Sequence, residues 1–107
     1  MDAIKIIISN RTRQRAENLN KLFTGLEIID WGETPQCDVV INATSIGLKE
    51  NDEMSLKFEN FGKNKLFFDV IYNPKETNFL KTGKKLGNLS VNGKYMFVYQ
   101  AMLAFKL

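Results

Sequence analysis

Short runs of β-branched and aromatic residues alternate with helical patterns along this 107-residue chain. The runs that favour strands are "IKIIIS" (4–9), "EIIDW" (27–31), "CDVVINAT" (37–44), "KLFFDVIY" (65–72) and "LSV" (89–91). Apolar residues at helical spacing predict helices over residues 13–23, 78–87 and 95–107. Strands that alternate with helices predict an α/β fold, in which helices flank a parallel sheet. The length suits a single domain.

Two of these elements carry expectations about burial. The run "CDVVINAT" is continuously apolar, which is typical of a strand covered on both faces. The last helix is apolar on nearly every side, with Gln100 and Lys106 as its strongly polar interruptions, and this pattern predicts a buried helix. Thr77 is placed to cap the helix over residues 78–87.

Composition excludes several kinds of site. The net charge is +3, but the lysines are scattered without the interleaved aromatic residues of a nucleic-acid surface. The chain has no histidine and one cysteine, Cys37, so we expect neither a disulfide framework nor a His-based metal or nucleophile site. It shows no signal peptide and no apolar run of the roughly 18 residues that a membrane span requires. We therefore expect a cytoplasmic protein with no metal, membrane or nucleic-acid partner.

The segment "NRTRQR" follows the first strand and carries three arginines. In dinucleotide-binding α/β folds an acidic residue at this kind of position binds a ribose 2′-OH, whereas an arginine accommodates a 2′-phosphate. Here Asn10, Arg11 and Thr12 stand at the strand end, with Arg15 one helical turn further on, and guanidinium groups suit a phosphate. The pattern indicates NADP rather than NAD. Alternatively, Thr12 only caps a helix and the arginines face water.

The segment "NATSIG" (42–47) follows the predicted third strand. Ligands of open α/β sheets bind beyond the carboxyl ends of the strands, and small residues such as Ser45 and Gly47 let a ribose or nicotinamide approach the backbone. A tight turn would need the same residues, so both interpretations stand.

A third group lies later in the chain. Tyr72 ends a predicted strand, and Gly93 precedes a helix on which Met96 and Gln100 stand four residues apart and share one face. A thioether and an amide could thus line one space. Equally, Met96 could belong to a core and Gln100 to its wet edge.

Taken in order, the segments "NRTRQRA", "DVVINATSIGL", "FFDVIYNPKETNFL" and "VNGKYMFVYQAMLAF" resemble the carboxy-terminal, nucleotide-binding half of shikimate dehydrogenase over essentially the whole chain. The resemblance implies a Rossmann-like sheet and reversible hydride transfer between NADPH and 3-dehydroshikimate, which gives shikimate for aromatic amino acid biosynthesis. It implies that Asn10, Arg11, Thr12 and Arg15 bind the 2′-phosphate of NADP. It further implies that Thr44, Ser45 and Gly47 contact the nicotinamide ribose and that Gly93 and Met96 contact the nicotinamide. Tyr72 and Gln100 would then contribute to the shikimate pocket.

The sequence also departs from the family pattern. The family's proton donor is a lysine with an aspartate partner in the amino-terminal catalytic domain, and neither has a match here. No glycines take the G-x-G-x-x-G spacing that binds a pyrophosphate. Tyr95 stands where the family usually has glycine, and Leu48 replaces a common methionine. We therefore expect residues 1–107 to be an incomplete nucleotide-binding domain that lacks its first βα unit and is inactive alone.

The expected missing strand would lie between the "IKIIIS" and "CDVVINAT" strands in the order 3-2-1-4-5-6. Its absence predicts a homo-oligomer or a rearranged sheet, because unpaired strand edges pair with each other or with another chain. Two further readings stay open: a quinate/shikimate dehydrogenase that prefers NAD, which the lack of an acid near Asn10 argues against, and a non-catalytic α/β module that binds a phosphorylated nucleotide or a protein partner. Residues 49–63 carry no functional assignment.

Overall fold

The computed structural model describes residues 5–23, 25–49 and 51–105. The chain divides into two compact units, Met1–Glu33 and Thr34–Leu107. Every predicted strand and helix is present within the described residues, and the strands are parallel with helices between them, so the α/β prediction is confirmed. Ile4 of the first predicted strand and Lys106 of the last predicted helix lie outside the described residues.

The first unit is a βαβ arrangement. It contains strand β1 (Ile6–Ile8), helix α1 (Arg13–Leu22) and strand β2 (Leu26–Ile28). The two strands pair in parallel, and the ladder continues where the Ile29 N–H donates to the Ile8 carbonyl at 3.1 Å. Helix α1 buries Ala16, the small residue through which a helix can approach a neighbour closely.

The second unit holds a three-stranded parallel sheet in the order β3-β4-β5. Its elements are β3 (Val39–Asn42), β4 (Leu66–Asp69), helix α2 (Asn78–Lys85), β5 (Leu89–Val91) and helix α3 (Lys94–Phe105), with a 3₁₀ helix over Phe58–Phe61 between β3 and β4. Each strand pair needs a crossover connection, which is why α2 stands between β4 and β5.

The core of the second unit is an aromatic cluster on one face of this sheet. Phe67 of β4 is fully buried, and its ring centroid lies 5.0 Å from that of Phe79 on α2. Phe58 and Phe61 of the 3₁₀ helix complete the cluster together with Leu80. A Cβ atom at Gly83 would lie 2.4 Å from the Phe67 ring, so α2 packs this closely only because that position is glycine. Phe58 and Phe61, which lie in the segment 49–63 without functional assignment, therefore have a structural role as part of the core.

The opposite face of the sheet is exposed in the described residues. Val39 and Ile41 of β3 and Leu89 of β5 have 45%, 59% and 69% of their surface accessible. The prediction that the third strand is covered on both faces is therefore wrong here, because α2 and the 3₁₀ helix pack on the Phe67 side alone. The prediction of a buried last helix is also wrong, since most of the large apolar side chains of α3 are exposed.

The strands form two separate sheets, β1-β2 and β3-β4-β5, rather than one rearranged sheet in which β1 pairs with β3. The other predicted outcome, a homo-oligomer, stays a prediction. Among residues 5–23, 25–49 and 51–105, no helix is long and apolar enough to cross a membrane.

Candidate functional site

The first group of predicted site residues forms the turn between β1 and α1. The side-chain oxygen of Asn10 accepts a hydrogen bond from the Thr12 N–H at 2.9 Å, and the Arg15 N–H donates to the Thr12 carbonyl at 3.0 Å. Thr12 occupies the N-cap position with an extended backbone, but its hydroxyl makes no capping hydrogen bond. Asn10 thus holds the turn, and the alternative in which Thr12 serves only as a cap lacks the hydrogen bond that it requires.

The three arginines of this turn have different environments. Arg13 contacts the carboxylates of Glu17, at 3.2 Å, and Asp30. The hydrogen bond that Arg13 donates to Glu17 and the charge of Asp30 raise the pKa of the Arg13 guanidinium. Arg11 and Arg15 are exposed and form no ion pair with any residue that the structure describes. Two guanidinium groups are therefore available to an anion beside a helix N-terminus whose first turn contains no acid.

The second group depends on a buried polar network at the carboxyl ends of β3 and β4. The Asp69 carboxylate, fully buried, accepts hydrogen bonds from the Asn42 side chain at 3.1 Å, the Thr77 hydroxyl at 2.7 Å and the Ile71 N–H at 3.0 Å. Thr77 in turn accepts from the Leu80 N–H at 3.3 Å, which confirms it as the N-cap of α2. One carboxylate therefore joins β3, the turn after β4 and the start of α2.

The loop after β3 is held by its own side chains. The Asn42 side-chain oxygen accepts from the backbone N–H of Thr44 at 3.0 Å and from its hydroxyl at 2.6 Å. The Thr44 hydroxyl accepts from the Ile46 N–H at 3.1 Å. Ser45 lies exposed at the tip of this turn. The loop that is predicted to border the nicotinamide ribose is thus held in one conformation by hydrogen bonds of its own residues.

Gly47 closes this loop against α2. Its φ of +120° is one that other residues adopt rarely, and a Cβ atom there would lie 3.2 Å from the Thr77 methyl group. The Gly47 N–H donates to the Asp52 carboxylate at 3.2 Å. Beside it lies a cleft of about 410 Å³, lined by Leu48, Pro74 and Lys81 among others.

The third group lies around the start of α3. The Gly93 N–H donates to the Ile71 carbonyl at 3.2 Å, and a Cβ atom at Gly93 would lie 2.0 Å from the Val70 carbonyl oxygen. Gly93 is therefore required by backbone packing, whether or not a nicotinamide approaches it. The Tyr72 ring stacks on Phe97 of α3, with centroids 4.9 Å apart, so the turn after β4 and α3 meet at this ring pair.

Met96 and Gln100 lie on α3 with exposed side chains. The alternative that assigns Met96 to a core is therefore wrong within the described residues. The predicted residues fall into two sets, residues 10–15 in the first unit and Thr44, Ser45, Gly47, Tyr72, Gly93, Met96 and Gln100 in the second.

Sequence reasoning missed the residues that organise the second set. Asp69 was the available signal, because an acidic residue inside the apolar strand "KLFFDVIY" requires partners if it is buried. Asn42 was visible within "NATSIG", but its pairing with Asp69 joins residues 27 positions apart and follows from the parallel register of β3 and β4. Asp52, which fixes Gly47 from outside the motif, carried no sequence signal.

Comparison with known proteins finds similar sequences and similar structures. No protein-family model matches the chain. It is 57% identical over 101 residues to the NADP(+) shikimate dehydrogenase of Pelagibacter ubique, an alignment that covers 94% of this chain and 38% of that protein. A crystal structure of a shikimate dehydrogenase in complex with NADP+ superimposes with a TM-score of 0.87 at 34% identity, over 95% of this chain and 40% of the other.

A related enzyme with a different name has the same fold. The ligand-free 5-ketofructose reductase of a Gluconobacter strain superimposes with a TM-score of 0.79 at 33% identity, over 92% of this chain and 39% of the other. Its TM-score is lower than that of the shikimate dehydrogenase structure, and the 57% identity to the Pelagibacter enzyme also favours similarity to shikimate dehydrogenase. The parallel sheets with flanking helices correspond to part of a Rossmann-like domain. The chain spans about 38% of the length of its curated relative, and over that part the relatives that it matches are named NADP(+) shikimate dehydrogenases.

Proposed function

We propose that this chain supplies the NADP-binding part of a shikimate dehydrogenase, which transfers hydride reversibly between NADPH and 3-dehydroshikimate. One observation carries the proposal: Arg11 and Arg15 are exposed and unpaired among the described residues, whereas Arg13 between them is paired with carboxylates. A phosphate monoester offers nearly two negative charges and three acceptor oxygens to such groups. The relatives are named for NADP, in agreement with this reading.

The first unit would bind the adenosine end of the dinucleotide. Asn10 fixes the turn, so that Arg11, Thr12 and Arg15 can direct their donors at one 2′-phosphate. Because the Thr12 hydroxyl makes no capping bond, it remains available as a further donor. No acid in the first turn of α1 repels the anion.

The second unit would hold the reacting end. NADPH, when bound, supplies the hydride. Thr44, Ser45 and Gly47 would border the nicotinamide ribose on a loop that is already ordered by Asn42. Gly93 and Met96 would border the nicotinamide, and Tyr72 and Gln100 would contribute to the shikimate pocket. An ordered loop lowers the entropy lost when the ring is oriented for transfer.

The proton for the substrate oxygen would come from outside this chain. In the family a lysine with an aspartate partner supplies it, and the sequence has no match for either residue. We therefore propose that the chain alone is inactive and works with an amino-terminal catalytic domain. Since Cys37 is a free thiol, a reducing cytoplasm suits the protein.

The exposed apolar side chains of β3 and α3 support a covering partner. Ile41, Tyr95 and Leu103 are 59%, 68% and 66% exposed, which is unusual for residues of a parallel sheet and its helix. We propose that the catalytic domain covers them in the enzyme and that the isolated chain forms a homo-oligomer. Sedimentation of the isolated chain as a folded monomer would contradict the second statement.

Calorimetric titration with NADP+ and NAD+ tests the cofactor assignment. A charged hydrogen bond to phosphate contributes about 1.5–3 kcal/mol, so Arg11→Ala should weaken NADP+ binding about ten- to hundredfold and leave NAD+ binding nearly unchanged. Lys21→Ala, which removes an exposed cation from the other end of α1, is the matched control and should change neither. Equal affinity of the unmodified chain for both dinucleotides would overturn the proposal.

The non-catalytic module is the second candidate, because the sequence has no match for the catalytic pair. Adding a separately prepared amino-terminal half of the Pelagibacter enzyme separates the two. Shikimate-dependent reduction of NADP+ in the mixture supports the dehydrogenase, and its absence, with both parts folded, supports the module. Faster reduction of NAD+ than of NADP+ would support the NAD-preferring quinate/shikimate dehydrogenase.

A further inference from the structure

An acidic residue lies next to the anion-binding turn although the turn itself contains none. Asp30 follows β2 directly after Ile29, whose N–H pairs with Ile8 at the end of β1, so the carboxyl ends of both strands meet there. The Asp30 N–H donates to the Glu33 carboxylate at 2.8 Å, which brings a second negative group to the same loop. A phosphate held by the turn after β1 would experience repulsion from both.

Arg13 bridges this acidic loop and the first turn of α1. Its Nη1 contacts the Asp30 carboxylate, while its Nε donates to Glu17 at 3.2 Å. It stands directly after Thr12 and thus between Arg11 and Arg15, which form no ion pair with residues that the structure describes. Two nitrogens of Arg13 are thus engaged by carboxylates, whereas Arg11 forms no ion pair among the described residues.

The distribution of ion pairs in the described part of the first unit is selective. Lys5 pairs with Glu27 at the other end of the strands, at 2.8 Å, and Arg13 pairs with Glu17 and Asp30. Arg13 therefore offsets the charge of Asp30, the acid that directly follows Ile29, as well as that of Glu17. It keeps the remaining arginines free for the ligand.

We propose that Arg13 is a specificity-determining residue, which favours NADP over NAD by neutralising Asp30 rather than by touching the 2′-phosphate. The inference rests on the proposed binding of NADP by Arg11 and Arg15. An uncompensated carboxylate at this loop would repel a 2′-phosphate and would leave a ribose 2′-OH unaffected. In this role Arg13 acts through Asp30 on the electrostatic potential at the turn.

A double-mutant cycle tests the proposal on the full chain with NADP+ and NAD+ as probes. We expect Arg13→Gln to weaken NADP+ binding about three- to tenfold and NAD+ binding by less than twofold. Asp30→Asn should restore most of the NADP+ affinity in the Arg13→Gln protein. Lys5→Gln breaks an ion pair of the same unit away from the turn and serves as the control, with no change expected.

Ionic strength provides a readout that loss of structure would not mimic. The effect of Arg13→Gln should shrink as salt is raised, because exposed charges are screened over a Debye length. Loss of equal size in the Asp30→Asn background would mean that Arg13 contacts the phosphate itself, and this result overturns the inference while the proposed function stands. Equal binding of NADP+ and NAD+ by the unmodified chain would overturn both.

Discussion

The turn after β1 and the loop after β3 both follow the carboxyl end of a parallel strand, but their polar groups are used differently. In the turn after β1, exposed arginines stand beside a helix N-terminus, and two of them have no carboxylate partner in the described residues. At the loop after β3, the neutral Asn42 amide is buried and donates to Asp69, while its oxygen accepts from the Thr44 hydroxyl. The first region presents unused charge, and the second satisfies its polar groups internally.

The difference separates ligand recognition from loop construction. A charge kept exposed contributes little to folding, since ion pairs and solvated cations on a surface are worth about 0–1 kcal/mol. A buried carboxylate without partners would be strongly destabilising, so each donor around Asp69 contributes to stability. Substitutions in the turn after β1 should therefore change dinucleotide binding with little effect on the free energy of unfolding. Substitutions around Asp69 should mainly lower the free energy of unfolding.

The sharpest test of the contrast is Asp69→Asn. The substitution retains the size of the side chain but removes a charged acceptor of three hydrogen bonds, and we expect a loss of about 2–4 kcal/mol in the free energy of unfolding. Urea unfolding followed by circular dichroism measures it. Asp38→Asn, at an exposed carboxylate before β3, is the control and should cost less than about 0.5 kcal/mol. Similar losses in both variants would break the comparison.

The next largest effect is expected at Gly93. Its substitution by alanine places a Cβ atom against the Val70 carbonyl, which belongs to the backbone and cannot rotate away, so Gly93→Ala should destabilise by about 1–3 kcal/mol. Thermal unfolding without any dinucleotide is the measurement. Gly32→Ala is a useful partner, because its left-handed φ is strained while no atom lies within 4 Å of its Cβ position. An unchanged melting temperature in Gly93→Ala would assign that glycine to ligand approach alone.

The two N-cap threonines give a matched pair. Thr77 accepts from the Leu80 N–H and donates to Asp69, whereas the Thr12 hydroxyl makes no capping bond. Thr77→Ala should cost about 2 kcal/mol of unfolding free energy and Thr12→Ala less than about 0.5. Titration with NADP+ should show the opposite order for binding. If Thr12→Ala were the more destabilising substitution, the assignment of its hydroxyl to a ligand would lose its basis.

The smallest effect concerns Cys37, before β3. Burial raises the pKa of its thiol, with Asp38 adding to the rise and Lys65 opposing it. The folded chain therefore holds the proton more tightly than the unfolded chain, and this contribution to stability is present at neutral pH and declines as the pH rises above the unfolded pKa. Alkylation by iodoacetamide at neutral pH should be slower in the folded chain than in urea. Equal rates would contradict the raised pKa.

The sequence was sufficient for the order and type of the elements, because their periodicities are local. The sequence pattern predicts strands that run past their observed carboxyl ends, and the reason is physical. β4 was predicted through Tyr72, but its ladder ends at Asp69, whose carboxylate binds the Ile71 N–H and redirects the chain. β3 was predicted through Thr44 and ends at Asn42, whose side chain binds the Thr44 N–H. Polar side chains that bond to the following backbone stop a strand where apolar residues would extend it.

The sequence predicts those candidate site residues that follow strand ends within known motifs, such as Arg11 and Gly47. Its internal support was not, since Asp69 reaches Asn42 and Thr77 through tertiary pairing. The pairing of Arg13 with Asp30 likewise depends on β1 and β2 being neighbours. Burial on the second face of the sheet was also unpredictable, because it depends on what packs there and not on the strand itself.

Asp69 has a consequence for the motions of the second unit. Its three hydrogen bonds belong to β3, the turn after β4 and the start of α2, so none of these segments can open without releasing the same carboxylate. Their amide protons should exchange with solvent through one shared opening event, while amides of the turn after β1 exchange independently. A ligand that closes on the loop after β3 would therefore slow exchange at Ile71 and Leu80 as well, although it touches neither.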